Sequence, residues 1–309
     1  MGLPLSRDLS RARAAILGIP FDCGLHPVRV GARMGPAAIR EQSGLVRPYQ
    51  PPIADFDPLA ELGAVDCGDV RVVLGDIVET YQRIERAVSR IVDAGCIPVT
   101  FGGDGAVTLP QLRALHRSYP DLCVLHFDAH TDTYPDEDAG PEHAGTNVAK
   151  YNPATTFARA AEEGVVDVAN SIHVGARGTV SMQGVFDYTR AKGFELITGI
   201  DLMNASVGDT LAHVRERLAG RPVYLCWDMD FFDPSCAPGV FTPTWGGVSA
   251  REGLAILQGL AGLDFVAFDV NTLSPLHDVG GMSAFLAGTV VLECLHLAAF
   301  AVRAREGRG

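Results

Sequence analysis

The feature that most restricts what this chain can fold into is an alternation along its length. Short apolar runs take turns with longer segments whose apolar residues recur every three or four positions. The runs at 14–18, 97–101, 122–127, 171–174, 222–227 and 264–270 predict buried strands. Segments 76–94, 109–116, 157–163, 182–192, 207–218 and 250–260 predict helices. In the first of these, Ile77, Tyr81, Ile84, Val88, Ile91 and Val92 share one face. Such a strand–helix rhythm predicts a mostly parallel sheet covered by helices on both sides. No repeat or low-complexity stretch divides the 309 residues, so one domain over 1–309 is expected, with the proline-rich stretch 47–58 as a surface loop. The nearly apolar segment 283–302 is long enough to cross a bilayer, yet it holds Glu293 and His296. It reads as a buried C-terminal helix, and no membrane association is expected.

Charge narrows the partners. A net charge of −12 lacks the basic footprint that nucleic acid requires and suits a cation, a metal or a cationic small molecule. Seven scattered cysteines without a CxxC pair, and no charged-then-apolar leader, read as reduced thiols in a cytoplasmic protein.

In parallel α/β folds, chemistry gathers where strands end and loops begin. Three such junctions stand out. In Val124-Leu125-His126-Phe127-Asp128-Ala129-His130-Thr131-Asp132, a strand runs into Asp128, His130 and Asp132, spaced by two so that an extended chain turns them to one side. Two carboxylates and an imidazole at that spacing suit a divalent cation. His126, deeper in the strand, reads as a core histidine rather than a ligand. In Val223-Tyr224-Leu225-Cys226-Trp227-Asp228-Met229-Asp230, a second buried run ends in two more carboxylates. Four aspartates converging from two strand ends would repel one another without a cation. The third junction, Phe101-Gly102-Gly103-Asp104-Gly105, is a glycine-rich strand-to-helix turn without the lysine of a phosphate loop. Gly102 and Gly103 are expected at positive φ.

In this order and separation the three motifs resemble those of the ureohydrolases, the arginase and agmatinase superfamily. Gly18-Ile19-Pro20-Phe21-Asp22, Gly31-Ala32-Arg33, Ala237-Pro238-Gly239, Thr242-Pro243 and Phe268-Asp269-Val270 extend the likeness over nearly the whole chain. The resemblance implies a three-layer α/β/α sandwich around a mostly parallel eight-stranded sheet, assembled as trimers or hexamers. It implies a guanidino-type substrate whose C–N bond is hydrolysed to urea, or a substituted urea, and an amine. Two divalent ions, Mn2+ or Ni2+, would serve it. Asp128 and Asp228 match the bridging ligands, His130 and Asp230 those of one ion, and Asp132 one of the other. Asp132 would also orient the attacking water, and His143 would return a proton to the leaving amine.

Two positions depart from the family pattern. Gly105 stands where the family carries a histidine ligand, so one ion would lose its nitrogen donor. This implies either a site with one or two ions that still turns over, or a catalytically impaired subunit that partners an active homologue. Thr272 stands where arginases and agmatinases carry a glutamate that faces the guanidinium. With Asn271 it is expected beside the substrate. Together with Thr244, this stretch looks more like the divergent branch around guanidine and metformin hydrolases, which tends to be nickel-dependent.

Overall fold

The computed structural model describes residues 2–26, 28–51, 53–136, 140 and 143–307. Its strands are β1 (Ala14–Gly18), β2 (Val65–Asp69), β3 (Ile97–Phe101), β4 (Cys123–Phe127), β5 (Ile172–Ala176), β6 (Glu195–Thr198), β7 (Pro222–Asp228) and β8 (Asp264–Asn271). Its helices are α1 (Gly35–Gln42), α2 (Pro58–Leu62), α3 (Ile77–Asp93), α4 (Thr108–His116), α5 (Asn147–Lys150), α6 (Thr156–Glu163), α7 (Val185–Ala191), α8 (Gly199–Asn204), α9 (Val207–Leu218), α10 (Ala250–Gly259) and α11 (Met282–Arg305).

All eight strands join one parallel sheet in the order β2-β1-β3-β8-β7-β4-β5-β6. Successive residues of a strand point to opposite faces, and two cores result. On one side Ala14, Ile16, Leu125 and Leu225 pack with α9, α10 and α11. On the other, Ala15, Leu17, Val124 and Tyr224 pack with α3, α4 and α6. This is the expected α/β/α sandwich.

The edge strands β2 and β6 escaped the sequence reading because they are not apolar runs. Most of their residues are only half-buried. Charged side chains on each edge are tied to a helix. Asp66 of β2 accepts from Arg40 of α1 at 2.7 Å, and Glu195 of β6 pairs with Arg217 of α9 at 2.7 Å. The long apolar α11 lies against β8, α1 and α10. Its Glu293 is buried and accepts from the Gln50 and Gln258 amides at 3.1 and 2.9 Å.

Strand order decides where chemistry can gather. From β1 the chain goes out to the edge with β2 and comes back inside β1 with β3; β4, β5 and β6 build out to the other edge, and β7 and β8 return to the middle. Hence β3, β8, β7 and β4 are neighbours, and all four of their carboxyl ends open into one crevice.

Candidate metal centre

The carboxyl end of β4 delivers Asp128. Its Oδ1 accepts the His130 backbone N–H at 2.6 Å, which folds the following residues back over the strand end. The end of β7 repeats the device, with Asp228 Oδ1 accepting the Asp230 N–H at 2.7 Å. The two loops are tied together where Asp230 Oδ1 accepts from the Ala129 backbone at 3.0 Å and Oδ2 from the Thr242 hydroxyl at 2.9 Å. His130 Nδ1 stands 3.2 Å from both Asp128 Oδ1 and Asp230 Oδ2, while its Nε2 faces the Thr244 hydroxyl at 3.4 Å. Donation of the Nε2 proton to Thr244 leaves the Nδ1 lone pair aimed between the two carboxylates, the orientation a metal ligand needs.

Two groups of donors meet here, and Asp128 belongs to both. Asp128, His130 and Asp230 form one; His126, Asp128 and Asp132 form the other. Within each group the ligand atoms lie within 4.8 Å of one another. Asp228, from the neighbouring strand, is 3% exposed, and Asp230 is fully buried. Asp132 adopts φ 46, a left-handed conformation rare outside glycine, and so turns back towards Asp128.

The electrostatics describe a site short of positive charge. Burial, reinforced by the Asp230 charge, pushes Asp128 up to about 8. Burial and the neighbouring carboxylates raise Asp228 and Asp132 well above the usual range. Against burial, the Asp230 charge holds His130 well above an ordinary imidazole, and the His130 charge holds Asp230 low. Protons here substitute for a cation. Oxygen and imidazole donors in buried, mutually repelling groups fit divalent ions such as Mn2+ or Ni2+.

The glycine-rich turn after β3 borders the same crevice. Gly102 and Gly103 have φ 90 and 79, as expected, and a Cβ at Gly102 would stand 2.3 Å from the Pro36 ring. The fully buried Asp104 caps the turn by accepting from Ala106 N–H at 3.1 Å and Cys23 N–H at 2.7 Å, and burial lifts it to about 7. A Cβ on Gly105 would lie 2.7 Å from Asp132 Oδ2. The position expected to lack a ligand therefore does face the site, across Asp132.

A cavity of about 420 Å³ opens above these groups, bordered by His130, Asp132, Asp228, His143, Thr242 and Thr272. His143 and Thr272 both border this cavity. Thr272 is at φ 63, strained for a β-branched residue, and its hydroxyl donates to Asp228 Oδ1. Asn271 corrects the expectation. Its amide turns inward, donating to Asp269 Oδ2 at 3.2 Å, and the residue does not border the cavity. The reason is strand parity: Asn271 still belongs to β8 and shares the face of Asp269, whereas Thr272 lies past the strand end and turns out of the alternation.

His126 was read as a core histidine, and it is 1% exposed. Its Nε2 nevertheless lies 2.9 Å from Asp128 Oδ2. The signal available in the sequence was the two-residue spacing that puts His126 and Asp128 on the same side of β4.

An all-parallel eight-stranded α/β sandwich with histidine and aspartate clusters at its carboxyl edge has the form of a ureohydrolase. The chain belongs to the arginase family, whose profile matches residues 12–297. It is 34% identical over 295 residues to the mitochondrial guanidino acid hydrolase of Homo sapiens, covering 96% of this chain and 81% of that protein. Identity to the guanidinopropionase of Pseudomonas aeruginosa is 36% over 301 residues, 97% of this chain and 91% of the other. The solved proclavaminate amidino hydrolase of Streptomyces clavuligerus superimposes with a TM-score of 0.89 at 33% identity, covering 97% and 96% of the two chains. The protein is thus a ureohydrolase of the agmatinase and guanidino acid hydrolase type.

Proposed function

We propose that this chain is a divalent-metal-dependent hydrolase that cleaves a guanidino C–N bond. The observation that carries the reading is the pair of donor groups joined through Asp128. Asp128 and Asp228 would be shared between two ions, His130 and Asp230 would hold one, and Asp132 would hold the other. When bound, Mn2+ or Ni2+ would supply an activated water and polarise the guanidino group. The chain's own residues do the rest. Asp132 would accept a hydrogen bond from the attacking water and fix its direction towards the planar carbon, and the proton the water loses would pass to His143. His143, at the cavity wall, returns a proton to the departing amine. Thr272 positions Asp228 through its hydroxyl and offers the substrate no carboxylate. Names among the relatives make ω-guanidino acids the first compounds to try beside agmatine, arginine and guanidine.

Gly105 favours a second reading, in which the chain is an impaired subunit completed by an active homologue. Assembly of identical or homologous chains as trimers or hexamers goes with either reading. The test is to purify the chain alone, load it with Mn2+ or Ni2+, count the ions and assay urea release. Turnover by the isolated chain supports the enzyme. Absence of turnover on every compound, despite bound metal, moves the case to the partner subunit.

A further inference from the structure

Beneath Asp128 lies a buried relay of side chains that the reaction as written does not use. His126 Nδ1 is 2.8 Å from His173 Nδ1, and His173 Nε2 is 3.3 Å from the Thr133 hydroxyl. All three residues are 1% exposed or less. Phe157 packs on both rings, with centroids at 4.5 and 5.0 Å, and holds their planes.

We assign the ring protons from the shorter of the two Thr133 hydroxyl contacts. Thr133 Oγ1 donates at 2.9 Å to the Thr131 carbonyl, which can only accept. Its one proton is therefore spent, and towards His173 it accepts from Nε2–H. A neutral His173 then has a bare Nδ1, which accepts from His126 Nδ1–H. The remaining nitrogen of His126, Nε2, carries a lone pair and no proton. That lone pair faces Asp128 Oδ2 at 2.9 Å, inside the group it forms with Asp132. Two acceptors so close in a buried site require a positive centre, a proton or a metal ion, between or beside them. Two donors on one octahedral ion, with bonds of about 2.1 Å meeting near a right angle, stand about 3 Å apart.

Gly105 borders the same carboxylate from the other direction, since a Cβ there would press on Asp132 Oδ2. The nitrogen that position cannot supply is available across Asp132. We infer that His126 Nε2 is the nitrogen ligand of the second ion in this chain, taking the place left at Gly105, with His173 and Thr133 holding it in the ligating tautomer. The inference rests on the two-ion reading above and turns an interior strand residue into part of the centre.

The full chain, loaded with Ni2+, tests it without reference to turnover. Metal analysis gives the ions per chain, and X-ray absorption at the nickel edge gives the imidazoles per ion. Two ions with an average of one imidazole each are expected, one from His130 and one from His126. Two ions with an average of half an imidazole each overturn the inference while leaving the two-ion reading intact. A single ion per chain, or none, overturns the two-ion reading and the inference that rests on it. Substitution gives the second arm. His126→Gln is expected to weaken the second ion by at least about 10-fold. Unchanged affinity in a folded His126→Gln variant overturns the assignment; if that variant does not fold, the absorption result on the unaltered chain decides.

Discussion

Thr272 carries two opposed effects that substitutions can separate. Its φ of 63 is costly for a β-branched residue, about 1–3 kcal/mol. Its hydroxyl donates to the buried Asp228, and removing one partner of a buried hydrogen bond costs about 1–3 kcal/mol. Thr272→Val keeps the branching, and therefore the strain, while deleting the donor. It should destabilise the metal-free protein by about 2 kcal/mol. Thr272→Gly loses the same donor but relieves the strain, offset by about 0.5–1 kcal/mol of extra chain entropy in the unfolded state. It should fall between wild type and the valine variant. Thr272→Ser keeps the donor and part of the strain relief, against about 0.8 kcal/mol for the lost methyl, and should be near neutral. Urea denaturation in EDTA at one pH, with constant slope, ranks the three. A glycine variant less stable than the valine variant would refute the strain argument. A valine variant equal to wild type would refute the hydrogen-bond argument.

Other consequences are direct. In EDTA the urea midpoint should fall between pH 7 and 8.5. The folded state holds protons on Asp104, raised to about 7, and Asp128, raised to about 8, that the unfolded chain has already lost, so rising pH favours unfolding. His130, raised by Asp230, acts in the same direction, and a flat profile over that window would contradict the assigned shifts. Adding Mn2+ or Ni2+ at 100 times its dissociation constant should stabilise the fold by about 2.7 kcal/mol per site, read as a rise in melting temperature. Gly105→Ala should displace Asp132 and weaken the second ion more than the first in a stepwise metal titration, because its Cβ would sit 2.7 Å from Asp132 Oδ2. Asn271→Ala should lower stability by about 1–2 kcal/mol, through the partners of its buried amide, while leaving KM within about twofold.

Much of this was legible in the residues. The central strands are apolar runs because both faces are covered, and each ligand pair follows directly on such a run. β1, β3 and α9 begin and end where the pattern placed them. The edge strands were hidden because half-exposed strands need no apolar run, and β2 reads Val-Asp-Cys-Gly-Asp. Asn271 was misplaced because neighbours in sequence were taken as neighbours in space, whereas a strand end separates it from Thr272. His126 was underrated because its place inside an apolar run hid its alignment with Asp128. Only the partners from β5 and the loop after β4, His173 and Thr133, disclose its free nitrogen, and no local pattern connects residues so far apart.

The two edges of the sheet have a consequence for how copies of this molecule can meet. An uncovered strand edge is a template on which another chain can add a strand. Here each edge is short, the β2 edge is already bridged at Asp66 by the segment around Leu5, and both carry carboxylates held by arginines, Asp66 by Arg40 and Glu195 by Arg217. A strand from a second molecule would have to dislodge those pairs and desolvate their charges to continue the ladder. Growth of one sheet from molecule to molecule is thereby discouraged at both ends. Contacts between copies are left to helix faces and loops, which can close into rings of fixed size instead of extending without limit.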